Sequence, residues 1–211
     1  MIKIYGAPGS ALMAPMAVLE HVGAPYEWAR IDLEAGEHQT PAFLALNPKG
    51  RVPVLVEGDF VLTEAAAICL HLAERFPQAG LLPAPGTAER TRLYEWLFYL
   101  SNTVQVAAID WWHPNWLTND ADAQDAVKAG AEKRLGICFE LLDAKLAARS
   151  APFCLGAAPS VADFFLHMVA RWSRYLEKPA YAYAHIQRTT DAVRVLPAIR
   201  RMMEKQAIAE A

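Results

Sequence analysis

The chain has little cysteine, no excess of basic residues and no long apolar run. Its three cysteines, Cys69, Cys138 and Cys154, are far apart and form no C-x-x-C pair, which argues against a disulfide framework or a zinc site. Its six histidines show no H-x-x-x-H spacing, so we predict no metal. The formal net charge of −3 argues against a nucleic-acid partner. Without an apolar stretch of about 20 residues, we also predict no membrane span.

The composition is that of a globular protein, with 54% hydrophobic and 20% charged residues. The apolar run at the N-terminus, Met1–Tyr5, is too short for a signal peptide. Cys69 lies in an apolar helical segment and is predicted to be a buried, reduced thiol. These features together predict a cytoplasmic protein.

The first part of the chain alternates strand and helix patterns in the order β-α-β-α-β-β-α. Thr40, followed by Pro41, is a typical helix start, and we expect Thr63 to cap a later helix in the same way. The predicted strands are Ile2–Tyr5, Tyr26–Asp32, Val54–Val56 and Phe60–Leu62, and the predicted helices are Ala14–Val22, Pro41–Leu46 and Glu64–Phe76.

The segment from Pro77 to Gly86 is the richest in proline and glycine and predicts a linker. Everything after it has helical spacing, beginning with Thr87 to about Ile109 and continuing with Ala121–Ala148 and a helix that starts at Ser160. The predicted domains are therefore residues 1–78 (α/β) and 88–211 (all-helical), joined by a linker at 79–87.

Two local features could bind a peptide-like ligand. Val52-Pro53 stands just before the predicted hairpin, and a cis bond there would turn the backbone groups of Val52 outward, where they could pair with a bound peptide. After the hairpin, Glu64 and Ala65 start a helix whose free N–H groups could receive a carboxylate. Glu64 could equally be an ordinary acidic residue in a first helical turn.

These features belong to recognisable motifs. The run from Asn47 to Leu55 reads Asn-Pro-Lys-Gly-Arg-Val-Pro-Val-Leu and resembles the NPxGxVPxL signature of glutathione transferases. Leu62–Ile68 is similar to their xxESxAI motif, and Pro159–Asp163 resembles their xSxAD helix start. Ser160 and Asp163 also form a capping box, which we assign to folding and not to catalysis.

The resemblance implies a thioredoxin-like first domain followed by an all-helical domain, usually in a homodimer, with glutathione as co-substrate. Val52, beside Pro53, would pair with the cysteinyl backbone of glutathione, and Glu64 with Ala65 would receive its γ-glutamyl end. The residues implied for its glycyl carboxylate are His38, Lys49 and Arg51; His38 could instead be an exposed loop histidine. Ala65 departs from the family, which has serine there, and loss of that hydroxyl predicts about tenfold weaker binding.

The reaction that the resemblance implies needs a group that stabilises the glutathione thiolate, because a free thiol has a pKa of about 8.5. Ser10, between the first strand and the first helix, is the candidate that we prefer. A backbone N–H near Ala11 or Leu12 is the second candidate, and Tyr5 is the third.

The segment Trp111–Trp116 is the most aromatic in the chain and lies where family members bind the second substrate. The residues that we assign to this pocket are Trp111, Trp112, His113, Trp116 and Trp172. Ordinary packing would explain the tryptophans almost as well.

The predicted function is attack of the glutathione thiolate on a small apolar electrophile, as in detoxification. Peroxide reduction and dehalogenation would use the same thiolate. The alternative from another class is a non-catalytic binding or regulatory module with the same fold, which the alanine at position 65 favours.

Overall fold

The computed structural model describes residues 1–209. The chain forms two compact units. The first contains Met1–Leu82 and also the segment that begins at Val195, and the second is Pro83–Arg194.

The first unit is built on a four-stranded mixed sheet of β1 (Ile2–Gly6), β2 (Tyr26–Arg30), β3 (Val54–Glu57) and β4 (Phe60–Thr63). The strands lie in the order β2-β1-β3-β4. β2 is parallel to β1, whereas β3 is antiparallel to both β1 and β4. The β3–β4 turn uses Gly58 at a φ of 60°, a conformation that glycine adopts without steric cost.

Three helices follow the predicted order in this unit: α1 (Met13–Val22), α2 (Pro41–Leu46) and α3 (Ala65–Arg75). Gly23 ends α1 in the left-handed conformation. Thr40 caps α2 by accepting a hydrogen bond from the Phe43 N–H. The prediction for Thr63 was wrong: Thr63 is the last residue of β4, and the N-cap position of α3 is held by Glu64, which makes no side-chain capping bond.

The two faces of the sheet bury different residues because side chains alternate along a strand. Ile4 and its β3 partner Leu55 are fully buried on one face. On the other, the next pair, Tyr5 and Val54, belongs to a cluster that includes Phe43 of α2. α1 packs against α3, and its own side chains are buried from Met13 to Glu20.

The second unit is helical. α4 (Ala88–Tyr99) continues through a π-helical segment, Leu100–Val104, into α5 (Gln105–Trp112), where the sequence predicts one long helix. α6 (Ala121–Ala147), α7 (Val161–Trp172) and α8 (Ala184–Arg194) follow. α7 is buried from Val161 to Arg171 and is the core helix of this unit.

The predicted capping box at the start of α7 is confirmed. Ser160 donates to Asp163 through both its N–H, at 2.8 Å, and its hydroxyl, at 2.7 Å. The same carboxylate accepts the Cys154 N–H at 2.6 Å. Because Asp163 is completely buried, burial raises its pKa, and these donors are what make the carboxylate tolerable there. The role in folding follows from these contacts.

The predicted fold class, a thioredoxin-like βαβαββα unit followed by helices, is confirmed. The boundaries at 78 and 88 stay a prediction, and residues 210 and 211 of the predicted second domain lie outside the described residues. The predicted second domain includes the C-terminal helix α9 (Pro197–Gln206). In the structure, α9 packs against α1 and is part of the first unit. Within residues 1–209, no helix has the length and apolar character needed to cross a membrane.

Candidate functional site

The strand register brings four chain segments to one end of the sheet. Tyr5 pairs with Val54, and Val54 pairs with Thr63, so β1 ends where β3 begins and β4 ends. β2 ends at this level too, because Arg30 pairs with Gly6. The segments that continue from this end are 7–12, 31–40, 47–53 and 64–65. They contain all of the residues that the sequence assigns to glutathione.

The turn from Asn47 to Arg51 is held by one buried side chain. Asn47 is 1% exposed, and its amide donates to the Arg51 carbonyl at 2.6 Å while its oxygen accepts the Lys49 N–H at 3.2 Å. Gly50 has a φ of 59°, and a Cβ there would come within 2.5 Å of the Gln39 amide. The positive φ therefore favours glycine at this position, and a Cβ would also have to displace the Gln39 side chain. The turn leads to Val52, whose bond to Pro53 is cis.

Glu64 has a strained backbone, with φ at 73° and ψ at 112°. A non-glycine residue in such a region costs about 1–3 kcal/mol, and strain of this kind is concentrated at functional sites. The helix behind it, α3, starts at Ala65, which is 6% exposed. The first N–H groups of a helix have no acceptor within the helix and carry partial positive charge. A carboxylate can therefore bind at this helix start.

The Glu64 carboxylate is held by a residue from the 47–51 turn. Lys49 Nζ lies 2.5 Å from Glu64 Oε1 and donates to Thr63 Oγ1 at 3.0 Å. Both partners are exposed, with 49% of the Lys49 side chain and 70% of the Glu64 side chain accessible. An exposed ion pair is worth only about 0–1 kcal/mol, so a charged ligand can replace either partner at little cost. The sequence does not predict this pair.

Ser10 lies in a tight turn before α1. Its hydroxyl donates to the Ala7 carbonyl at 2.7 Å and accepts the Leu12 N–H at 3.2 Å. The side chain is half-buried. The Leu12 N–H withdraws charge from the hydroxyl oxygen and so makes the hydroxyl a better donor.

The other candidates for the first unit lie at the same end. Tyr5 packs its ring edge-on against Phe43, with centroids 6.4 Å apart, and belongs to the core cluster on that face. His38, in a short 3₁₀ turn after β2, is half-buried, and within residues 1–209 its Nδ1 has no hydrogen-bond partner. Arg51 is exposed.

The aromatic residues assigned to the second substrate are held within the second unit. Trp111 donates its indole N–H to Glu132 at 3.1 Å, and Trp112 donates to the Trp172 carbonyl at 2.9 Å. The rings of Trp111 and Trp112 also pack edge to face, with centroids 5.2 Å apart. His113 and Trp116 form a separate stacked pair with centroids 4.1 Å apart, and both are exposed. Their assignment to a substrate pocket stays a prediction.

One residue near Ser10 was missed. Gln206, at the end of α9, accepts the Gly9 N–H at 2.9 Å although 197 positions separate the two residues in sequence. No local pattern could have indicated this contact. Cys69 is free and fully buried, as predicted, and burial raises its pKa far above the ordinary value, so it is not a reactive thiol. Within residues 1–209, no three His, Cys, Asp or Glu side chains are grouped so that they could hold a metal ion.

Known proteins share this architecture. Residues 1–74 match the family model described as glutathione S-transferase, N-terminal domain. Glutathione S-transferase 3 of Zea mays is 31% identical, over 93% of this chain and 96% of its own length.

Two solved structures are similar over nearly the whole chain. The structure of a Sulfitobacter glutathione transferase homologue with bound glutathione has a TM-score of 0.90 at 26% identity and covers 97% of this chain and 98% of its own. A sphingomonad glutathione S-transferase complexed with glutathione has a TM-score of 0.84 at 29% identity and covers 98% and 100%. The fold, the site motifs and these similarities together show that the chain belongs to the glutathione S-transferase family.

Proposed function

We propose that this protein binds glutathione at the end of the sheet described above and activates its thiol through the Ser10 hydroxyl. The observation that carries the proposal is the strand register, because it gathers the turn before α1, the Val52-Pro53 segment and the start of α3 at one place. Glutathione is an extended peptide with a carboxylate at each end. The backbone of Val52 suits its peptide part, and the α3 N-terminus suits its γ-glutamyl carboxylate.

The charges of the protein side chains indicate where each end of glutathione would bind. The Glu64 carboxylate can accept from the γ-glutamyl ammonium group, which requires that the ligand take the place of Lys49 at Glu64. Lys49, once released, can meet the glycyl carboxylate, and Arg51 and His38 lie in segments that continue from the same end of the sheet. Ala65 contributes its backbone N–H alone, since it lacks the hydroxyl of other members.

Ser10 can change its hydrogen-bond partner when a thiolate is present. In the structure its hydroxyl donates to a neutral carbonyl, a bond worth about 0.5–1.5 kcal/mol. A hydrogen bond to a charged group is worth about 1.5–3 kcal/mol, so rotation toward a thiolate is favourable. The difference, about 1–2 kcal/mol, corresponds to a thiol pKa lowered by about one unit. The N-terminus of α1 adds to this stabilisation.

As the family resemblance implies, the activated thiolate would attack a small apolar electrophile, in a detoxification role. Peroxide reduction or dehalogenation would use the same thiolate. We further propose a homodimer in the cytoplasm, as the family resemblance implies. Gel filtration with light scattering tests the dimer directly.

The decisive experiment measures thiolate absorbance when glutathione is added to the protein at neutral pH. A saturable increase is expected for the wild type, and it should fall strongly in Ser10→Ala. Thr40→Ala is the matched control, because it removes a hydroxyl that caps α2 and that has no assigned contact with the thiol.

An increase that persists in Ser10→Ala would assign activation to a backbone N–H near Ala11 or Leu12, or to Tyr5. No increase with the wild type, under conditions where calorimetry shows glutathione bound, would favour the non-catalytic binding module.

A further inference from the structure

The C-terminal helix α9 ends in a buried glutamine that contacts the turn carrying Ser10. Gln206 is 2% exposed, and its Oε1 accepts the Gly9 N–H at 2.9 Å. Its Nε2 lies 3.2 Å from the sulfur of Met16. Because a backbone N–H can only donate, the amide oxygen must face Gly9, and this fixes the orientation of the side chain.

The turn that Gln206 contacts is otherwise held by short-range hydrogen bonds of Ser10. Gly9 has a φ of 71°, in the region where glycine is free of steric restraint. Within the turn, Ser10 bonds back to the Ala7 carbonyl through its N–H at 3.3 Å and its hydroxyl at 2.7 Å. If the hydroxyl rotates toward a thiolate, the second of these bonds is lost. The Gln206 contact is then one of the restraints that keep the Ser10 backbone in place.

Ion pairs hold helix α9 against α1, and they therefore also fix the position of Gln206. Glu20 of α1 is 6% exposed and accepts from Arg201 Nε at 3.0 Å and from Lys205 Nζ at 2.5 Å. Arg201 also donates to the Glu20 carbonyl at 2.6 Å. The residue after Lys205 is Gln206, which these contacts hold in position at Gly9.

We propose that Gln206 is a positioning residue for thiol activation, acting through the Gly9 N–H to hold Ser10 where its hydroxyl can reach the glutathione sulfur. This inference rests on the proposed function. It assigns part of the activation to the C-terminal helix, whereas the binding contacts at Val52, Glu64 and Ala65 are independent of it. The thiol pKa should therefore respond to Gln206 more strongly than glutathione affinity does.

The test uses Gln206→Met, which keeps the size of the side chain but removes the amide acceptor. A pH titration of thiolate absorbance gives the pKa of bound glutathione, and calorimetry gives its Kd. The thiolate fraction near neutral pH should fall about threefold to tenfold in Gln206→Met, as expected for one lost hydrogen bond. The Kd should change by less than about threefold, and amide exchange at Gly9 should accelerate in Gln206→Met alone.

The control is Met202→Ala, a fully buried position on the same helix that lowers stability without removing the Gly9 contact. An unchanged thiol pKa in Gln206→Met would overturn the inference, as would an equal pKa rise in Met202→Ala. Weaker glutathione binding at an unchanged pKa would also overturn it. In each of these cases the wild-type thiolate signal remains. Failure of the proposed function is distinct, because the wild type itself then gives no thiolate.

Discussion

Two glutamates of the first unit each pair with a lysine at 2.5 Å, yet their surroundings differ in every other respect. Glu20 is 6% exposed, its backbone is helical, and it accepts from Lys205, Arg201 and the Tyr26 hydroxyl. Glu64 is exposed, has a φ of 73°, and pairs with Lys49, which is also exposed. The Glu20 pair joins α1 to α9. The Glu64 pair leaves an exposed carboxylate, on a residue with a strained backbone, accessible to a ligand.

The comparison shows that the distance within an ion pair does not reveal its role. Burial and the number of donors make the Glu20 pair structural, since a buried carboxylate must be fully satisfied. Because the Glu64 pair is exposed, a ligand can replace one of its partners at little cost. The strained backbone of Glu64 points to a functional role. Replacing each glutamate should therefore affect different properties.

The largest effect is expected from Glu20→Ala. It removes the carboxylate that accepts from Tyr26, Lys205 and Arg201, while Arg201 keeps its bond to the Glu20 carbonyl. Because the two cations are half exposed, we discount the usual cost of breaking a buried pair. The free energy of unfolding should fall by about 2–3 kcal/mol, measured by urea denaturation. Glu27→Ala, which removes an exposed pair with Lys3, should shift the urea denaturation midpoint far less than Glu20→Ala does. Equal losses in the two variants would remove the distinction drawn here.

Glu64→Gln should have the opposite profile. Loss of a charged acceptor for the γ-glutamyl ammonium should weaken glutathione binding by about tenfold or more, since such a bond is worth about 1.5–3 kcal/mol. The free energy of unfolding should change by less than about 0.5 kcal/mol, because the pair with Lys49 is exposed. Calorimetric titration measures the first quantity, with Asp59→Asn in the hairpin turn as control. A stability loss without a change in Kd would show that the Glu64 pair is structural after all.

Ala65→Ser tests the proposed ligand-binding role of the region around Glu64. The added hydroxyl stands at the start of α3 and can donate to the γ-glutamyl carboxylate. Glutathione should bind about threefold to tenfold more tightly. If the Kd is unchanged in calorimetry while the variant keeps its stability, the γ-glutamyl end does not lie at this helix start.

The smallest effect concerns pH. Burial raises the pKa of Glu20, but the hydrogen bonds from Lys205, Tyr26 and Arg201 outweigh it and lower the pKa below the ordinary glutamate value of about 4.3. The stabilisation from the charged carboxylate is therefore complete above about pH 4.3 and is lost as the pH falls through the lower, folded value. Urea denaturation at several pH values should show this loss in the wild type. Glu20→Gln should lose less stability at low pH, because it has no carboxylate to protonate at this position. An identical pH dependence of stability in both proteins would contradict this prediction.

The elements of the first unit could be predicted because each is marked by local chemistry. Thr40-Pro41 starts α2, Gly23 ends α1, and a glycine-containing turn joins β3 to β4. Thr63 was misassigned because a threonine before a helix has the same local pattern whether it caps the helix or ends a strand. The strain at Glu64, which displaces the cap by one residue, is invisible in the sequence.

Contacts between distant parts of the chain could not be predicted. The Lys49–Glu64 pair depends on how the 47–51 turn folds over β4, and the Gln206–Gly9 bond depends on where α9 packs. The π-helical segment at Leu100–Val104 also interrupts a run whose spacing is helical throughout. Local patterns specify elements and motifs, whereas the partners of a side chain depend on tertiary packing.

The most direct test of the account is an NMR titration of the labelled protein with glutathione. The central claim is that glutathione binds where β1 and β4 end and β3 begins, so the largest amide shift changes should fall on Ser10, Val52 and Ala65. The cleft lined by Gly23, Tyr26 and Lys205, at the C-terminal end of α1, is the natural comparison region within the same unit. Changes confined to that cleft, with the amides of Ser10, Val52 and Ala65 unmoved at saturation, would contradict the account.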